Sequence, residues 1–167
     1  AVGPKAMYGI TKLEGETFVR QFAKEWFIIR TAWLYGDGKN FVKTMLRLSE
    51  THDKITVVND QIGSPTSAKE LAKAIAYLLP TEKYGLYHGT CEGSCSWADF
   101  TKEIFRLAGK DTEVIPVTSA QYKEMNPNSA DRPAFSVLEN YMFKLTTDFM
   151  FADWKDAIAD YMKELKG

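Results

Sequence analysis

Apolar residues recur at helical spacing in several segments of the chain, and most of these segments have recognisable ends. Helices are predicted over residues 8–24, 40–49, 67–79, 96–108, 119–125 and 153–166. Ser67 followed by Glu70 predicts a capping box at the start of the third helix, and Pro80 stops that helix. In the first helix the residues expected to face a core are Leu13, Phe18, Val19 and Phe22.

Short apolar runs rich in β-branched and aromatic residues separate these helices. They cover residues 26–30, 55–58, 86–88 and 113–117, and their pattern is typical of short buried strands. Because helices alternate with short strands, the sequence predicts an α/β fold with parallel strand pairs.

Tyr8 and Lys12 stand four residues apart near the start of the first helix, so their side chains lie on one helical face. At ~4 Å and an effective dielectric of ~20, an ammonium attracts a phenolate by ~4 kcal/mol. A phenol tuned in this way can give a proton to a carbonyl oxygen, or take one from an alcohol, near neutral pH. The same spacing also occurs in ordinary amphipathic helices. The surrounding sequence is therefore needed to distinguish a catalytic pair from a purely structural one.

Pro4 and residues 8–16 (YGITKLEGE) resemble the active-site helix of the extended short-chain dehydrogenase/reductase family. Further segments resemble one branch of that family, the dTDP-4-dehydrorhamnose reductases. They are residues 30–36 (RTAWLYG), 40–46 (NFVKTML), 58–66 (VNDQIGSPT) and 84–88 (YGLYH). The resemblance runs in order over nearly the whole chain and ends near Arg132 and Asn140. Many relatives share the Tyr-x-x-x-Lys spacing, whereas the segment around Trp33 and the loop at residues 59–66 are more specific.

The resemblance implies an incomplete Rossmann-like parallel sheet portion plus a smaller substrate-binding α/β domain. Residues 1–50 would be the C-terminal remainder of the dinucleotide-binding domain, and residues 51–167 mainly the nucleotide-sugar-binding domain. The family's pyrophosphate site is a glycine-rich turn after a first strand, and the segment Gly36-Asp37-Gly38 lacks its third glycine. The family's catalytic Ser or Thr also precedes the Tyr. We therefore expect the C-terminal part of a longer enzyme, a fragment inactive alone.

The resembled enzymes reduce the C4 ketone of dTDP-4-dehydro-L-rhamnose to dTDP-L-rhamnose with NADPH or NADH. Carried over to this chain, Tyr8 would be the general acid and Lys12 would tune it. Both residues, together with Arg30, would contact the cofactor.

The resemblance also implies a set of substrate-binding residues. They are Trp33, Asn40, Asp60, Gln61 and Arg132. The Trp33 indole would offer an apolar face to the deoxysugar, and the Arg132 guanidinium would suit a phosphate. Three of these predictions have structural alternatives. Trp33 could be a core aromatic residue at a strand end, the loop at residues 59–66 could serve turn chemistry alone, and Arg132 could be a surface arginine.

Charge and hydropathy argue against two kinds of partner. The 21 Lys and Arg residues balance 22 Asp and Glu, a net charge of −1, whereas nucleic-acid-binding proteins carry a basic excess. No apolar run approaches the ~20 residues of a membrane span.

Cys91 and Cys95 have no nearby His or further Cys, which favours free thiols in a reducing cytoplasm. The sequence leaves open the choice between NADH and NADPH, a need for Mg²⁺ and a homodimer.

Two other functions are compatible with the sequence. An epimerase or dehydratase of the same superfamily would share Tyr8 and Lys12. A regulatory subunit resembling the β subunit of methionine adenosyltransferase could also keep the Tyr-x-x-x-Lys spacing. The segment around Trp33 and the loop at residues 59–66 favour the reductase over the epimerase or dehydratase.

Overall fold

The computed structural model describes residue 3 and residues 7–165. Pro4 and the last residue of the predicted helix 153–166 lie outside the described residues. The helices are α1 (Met7–Phe22), α2 (Phe41–Leu48), α3 (Ala68–Leu78), α4 (Trp97–Ala108), α5 (Ser119–Met125), α6 (Tyr141–Thr146) and α7 (Trp154–Glu164). The strands are β1 (Phe27–Arg30), β2 (Leu34–Tyr35), β3 (Lys54–Val58), β4 (Ile62–Gly63), β5 (Thr66–Ser67), β6 (Gly85–His88), β7 (Cys95–Ser96) and β8 (Glu113–Val117).

The predicted α/β class is confirmed, and most strand pairs are parallel. Among the described residues the strands form two-stranded sheets, in which β1–β6, β2–β5 and β3–β8 are parallel and β4–β7 is antiparallel. Because β1 pairs with β6, the two sides of the predicted boundary at residue 50 share one sheet. Within the described range no helix is long and apolar enough to cross a membrane.

The helix starts follow the local sequence signals. Asn40, Ser96 and Asp153 each cap a helix by accepting a bond from a backbone N–H of its first turn. The capping box predicted at Ser67 and Glu70 is wrong in its second half. Ser67 does cap α3, through the Lys69 N–H, but Glu70 is buried and accepts a hydrogen bond from the Ala152 N–H instead.

The main core lies between α2, α4 and α7. Phe100 and Ile104 of α4 and Ile158 of α7 are almost fully buried, as their helical spacing predicts. A second cluster packs the strand residue Tyr87 against Leu78, Phe143 and Phe151. The short helix α6, which supplies Phe143, was not predicted.

The predicted inward face of α1 is wrong for the described residues. None of its residues is buried, and Phe18 and Phe22 are 57% and 73% exposed. The physical reason is that no element of the described part of the chain covers this face. Two further apolar residues are exposed, Ile75 of α3 and Leu79 directly after it. The reason is that α3 buries Ala74 and Leu78 instead.

Tyr35 provides a test of the main core. It is 1% exposed, its hydroxyl has no hydrogen-bond partner among the described residues, and burial raises the pKa of this phenol. Tyr35→Phe removes an unpaired buried hydroxyl, so we expect the free energy of unfolding to rise by about 1 kcal/mol. Chemical denaturation of the full gene product measures this difference.

The matched control for this substitution is Tyr87→Phe. Tyr87 is equally buried, but its hydroxyl donates to the Lys83 carbonyl at 2.6 Å. Losing that bond should lower the free energy of unfolding by about 1 kcal/mol. Destabilisation by both substitutions would contradict the unpaired state of the Tyr35 hydroxyl.

Candidate active site

One wall of an open cavity is built by successive turns of α1. Tyr8, Lys12 and Glu16 are spaced four residues apart, and all three line a cavity of about 640 Å³. The opposite wall includes Arg30 and Thr31 at the carboxyl end of β1. The carboxyl ends of parallel strands are the usual place for ligand-binding residues in α/β folds.

Tyr8 and Lys12 lie side by side in this cavity. The Lys12 Nζ is 5.4 Å from the centroid of the Tyr8 ring, and Tyr8 is 74% exposed. The predicted pairing of an ammonium with a phenol on one helical face is therefore present, and a ligand can reach the phenol. Their catalytic and cofactor-binding roles remain predictions.

Arg30 is engaged by a carboxylate of the facing helix. Its Nε and Nη2 donate to the two carboxylate oxygens of Glu16 at 2.6 and 2.7 Å. Arg20 donates to the same carboxylate at 3.1 Å. The Arg30 guanidinium holds the pKa of the Glu16 carboxyl below its ordinary value, and Glu16 in turn raises the pKa of Arg30. The cofactor contact predicted for Arg30 would have to coexist with this pair.

A second cavity, of about 540 Å³, lies beside β3 and the starts of α4 and α5. Gln61 and Arg132, two of the predicted substrate-binding residues, both line it. Its apolar lining includes Phe41 and Trp97, whose rings lie 4.4 Å apart. This cavity combines aromatic faces with a cation, a combination suited to a base and a phosphate.

Asp60 and Asn40 make hydrogen bonds within the fold. Asp60 accepts hydrogen bonds from the Ser119 N–H and hydroxyl at 2.9 and 2.6 Å, and these bonds lower the pKa of its carboxyl. Asn40 caps α2 and donates to the Gly36 carbonyl at 2.6 Å. Neither residue lines the two cavities described above. Asp60 and Asn40 thus have structural roles within the fold, and their substrate contacts stay predictions.

Trp33 occupies a restricted position between two other residues. Its φ of +48° is rare for a bulky side chain and carries a strain of order 1–3 kcal/mol. The indole stacks on Trp97, with centroids 3.5 Å apart and planes 9° apart. Gly63 lies so close that a Cβ there would be 2.3 Å from the Trp33 Cε2 atom. Trp33 therefore adjoins the second cavity through Trp97, which lines it.

Trp97 is the residue that sequence reasoning missed. It opens α4 directly after the capping residue Ser96, and an aromatic residue at the end of an element is a weak signal that could have identified it. Its partner Trp33 is 64 positions earlier in the chain. No local pattern joins residues at that separation.

The two cysteines are buried thiols. Cys91 and Cys95 are free and buried, as predicted for thiols, and burial raises the pKa of each, to about 11 and about 12. These residues are therefore protonated near neutral pH. Across the described part of the chain, no group of three or more His, Cys, Asp or Glu could hold a metal ion such as Mg²⁺.

The chain matches the family model described as RmlD substrate binding domain over residues 1–166. It is 40% identical over 162 residues to the spore coat polysaccharide biosynthesis protein SpsK of Bacillus subtilis, covering 96% of this chain and 55% of that protein. It is 37% identical to a dTDP-4-dehydrorhamnose reductase of Aggregatibacter actinomycetemcomitans, covering 94% of this chain and 56% of the relative.

Two solved structures are similar over nearly the whole chain. A dTDP-4-dehydrorhamnose reductase of Clostridium acetobutylicum is 48% identical with a TM-score of 0.94, covering 100% of this chain and 58% of that one. The enzyme of the same name from Bacillus anthracis, in complex with NADP, is 39% identical with a TM-score of 0.90, covering 97% and 56%. The chain thus spans about half the length of the relatives it matches.

Proposed function

The chain belongs to the RmlD substrate binding domain family, and on that premise we propose that it is part of a nicotinamide-dependent reductase of a dTDP-linked 4-ketosugar. The specific reaction is reduction of the C4 ketone of dTDP-4-dehydro-L-rhamnose to dTDP-L-rhamnose. The observation that carries this proposal is the placing of Tyr8 and Lys12 side by side in one open cavity. Relatives named as dTDP-4-dehydrorhamnose reductases support the choice of substrate.

The residues of the α1 cavity fit a nicotinamide cofactor and a ketone together. Its volume of about 640 Å³ lies within the usual ~300–1,000 Å³ of ligand pockets. Within the described range Lys12 has no ion-pair partner, so its ammonium is available to a ribose hydroxyl. Reduced nicotinamide, when bound, supplies the hydride that forms the new C–H bond at C4. NADPH and NADH both serve this chemistry, and one relative was solved with NADP.

Tyr8 handles the proton of this reaction. As the C4 carbonyl bond is reduced, negative charge builds on its oxygen, and the Tyr8 hydroxyl donates its proton to form the alcohol. The positive charge of Lys12 stabilises the phenolate left behind. Because Tyr8 is 74% exposed, solvent can return the proton. The ketone thus gains one hydride and one proton and becomes the alcohol.

The second cavity suits the nucleotide end of the substrate. We assign the planar base to the aromatic wall formed by Phe41 and Trp97, and the diphosphate to the exposed Arg132. Gln61 lines the same cavity and donates to the Ser119 hydroxyl at 2.9 Å, which fixes its side chain. Trp33 supports the wall from behind by stacking on Trp97.

The proposed whole protein is larger than this chain. Residues 1–50 complete the dinucleotide-binding domain, residues 51–167 supply most of the sugar-nucleotide domain, and the pyrophosphate site lies elsewhere in the gene product. We place the enzyme in the cytoplasm, which keeps thiols such as Cys91 and Cys95 reduced.

The test is turnover by the full gene product. With dTDP-4-dehydrorhamnose and NADPH or NADH, we expect oxidation of the nicotinamide that depends on the ketosugar and yields dTDP-rhamnose. Conversion of nucleotide sugars without net nicotinamide oxidation would identify an epimerase or dehydratase instead. No turnover, together with co-purification with methionine adenosyltransferase, would identify a regulatory subunit.

A further inference from the structure

Glu16 places a negative charge on the same helical face as Tyr8 and Lys12. It is one turn beyond Lys12, and an ammonium and a carboxylate four residues apart on a helix can pair. In the structure Glu16 pairs with Arg30 of β1 instead. The side chains are 13% and 30% exposed, so the contact is partly shielded from water.

Among the described residues, the charged groups that act on the Glu16 carboxylate are basic. Arg30 approaches from β1 and bonds both oxygens, while Arg20 approaches from α1 and bonds one. His88 on β6 also lowers the pKa of the Glu16 carboxyl through its charge. The carboxylate is therefore ionised at neutral pH and strongly held on the β1 side.

Lys12 is not paired with Glu16, and its ammonium lies beside the Tyr8 ring instead. Among the described residues it has no ion pair, and its Nζ lies 5.4 Å from the centroid of the Tyr8 ring. Without the two hydrogen bonds from the Arg30 guanidinium, Glu16 would keep only the single 3.1 Å bond from Arg20, whose side chain is 40% exposed. The Glu16 carboxylate would then be free to draw the Lys12 ammonium one turn away from Tyr8 and to offset its charge.

We propose that Arg30 is a positioning residue that holds Glu16 away from Lys12, so that the Lys12 ammonium remains beside Tyr8. This inference rests on the proposed function of Tyr8 and Lys12. It gives Arg30 a different role from the cofactor contact that the resemblance implies. A bidentate pair suits this role, because the Arg30 guanidinium bonds both carboxylate oxygens and so fixes the Glu16 side chain on the β1 side.

A double-mutant cycle in the full gene product tests this role. Arg30→Ala should lower kcat about tenfold, because the Lys12 ammonium is then drawn away from Tyr8, and leave KM for the nicotinamide within about twofold. Adding Glu16→Gln to that variant should recover most of the lost kcat, since the competing charge is gone. Glu16→Gln alone should cost less than Arg30→Ala.

The alternatives give different results in the same cycle. If the ion pair only anchors α1 to β1, Glu16→Gln costs as much as Arg30→Ala and the double variant recovers nothing. If Arg30 binds the cofactor, KM for the nicotinamide rises and Glu16→Gln does not restore it. Either result would overturn the proposal. The matched control is Arg106→Ala, which breaks a bidentate pair with Glu103 on the exposed face of α4 and should not change kcat.

A crystal structure of the Arg30→Ala variant tests the inference without turnover. We expect the Glu16 carboxylate within roughly 4 Å of the Lys12 Nζ, the limit for an ion pair. A Glu16 side chain that stays on the β1 side would contradict the inference. An inactive wild-type enzyme would refute the proposed function but leave this structural result to decide the role of Arg30.

Discussion

Tyr8→Phe should lower kcat of the full gene product by about a thousandfold, within the 10²–10⁴-fold range of general acid catalysis. Phenylalanine keeps the ring beside Lys12 but removes the only hydroxyl proton that Tyr8 can give to the C4 oxygen. Because Tyr8 is exposed and none of the residues of α1 is buried, the substitution should not change the free energy of unfolding. Steady-state kinetics with ketosugar and reduced nicotinamide measure the effect.

The matched control for this experiment is Tyr141→Phe. Tyr141 is 62% exposed at the start of α6 and lines neither cavity, so its loss of a hydroxyl should leave kcat within about twofold. A Tyr8→Phe enzyme that kept more than about a tenth of the wild-type kcat would show that another group supplies the proton.

Gly63→Ala should lower the free energy of unfolding by about 3 kcal/mol, at the upper end of the usual cost of overpacking. The new methyl carbon would lie 2.3 Å from Cε2 and 2.6 Å from Nε1 of the Trp33 indole. The indole cannot withdraw easily, because the face of Trp97 lies on it with ring centroids 3.5 Å apart. Gly63 does not have a positive φ, so the expected effect is steric and not one of backbone conformation. Chemical denaturation of the full gene product measures it.

Two variants isolate this steric contact. Gly15→Ala on the open face of α1 meets nothing within 4 Å, so it should stabilise the helix by up to about 1 kcal/mol. In a Trp33→Leu background the cost of Gly63→Ala should fall by more than half, because the clashing ring is absent. An undiminished cost in that background would show that Trp33 does not lie against Gly63.

Much of the fold follows from local sequence patterns. The apolar stripe of α4 predicts its buried residues Phe100 and Ile104, and Gly109 ends that helix in the left-handed conformation expected of it. The outward face of α1 is different. Its apolar residues predict burial, but no element of the described part of the chain covers Phe18 or Phe22, so periodicity alone could not show their exposure.

In the candidate site, too, the local geometry follows from the sequence and the long-range contacts do not. The four-residue spacing of Tyr8 and Lys12 predicts a shared helical face, which the structure confirms. The pair of Glu16 with Arg30 joins residues 14 positions apart on different elements. The stack of Trp33, which directly precedes β2, on Trp97, which opens α4, joins residues 64 positions apart. Contacts of this kind arise from tertiary packing, which a single sequence does not display.

The fate of the transferred hydrogen tests the central claim most directly. The full gene product is supplied with dTDP-4-dehydrorhamnose and reduced nicotinamide that carries deuterium at its transferable position. The proposed function predicts one deuterium at C4 of the dTDP-rhamnose formed, and loss of that transfer in Tyr8→Phe. Deuterium at another carbon, or a product whose C4 hydrogen comes from solvent, would contradict the account.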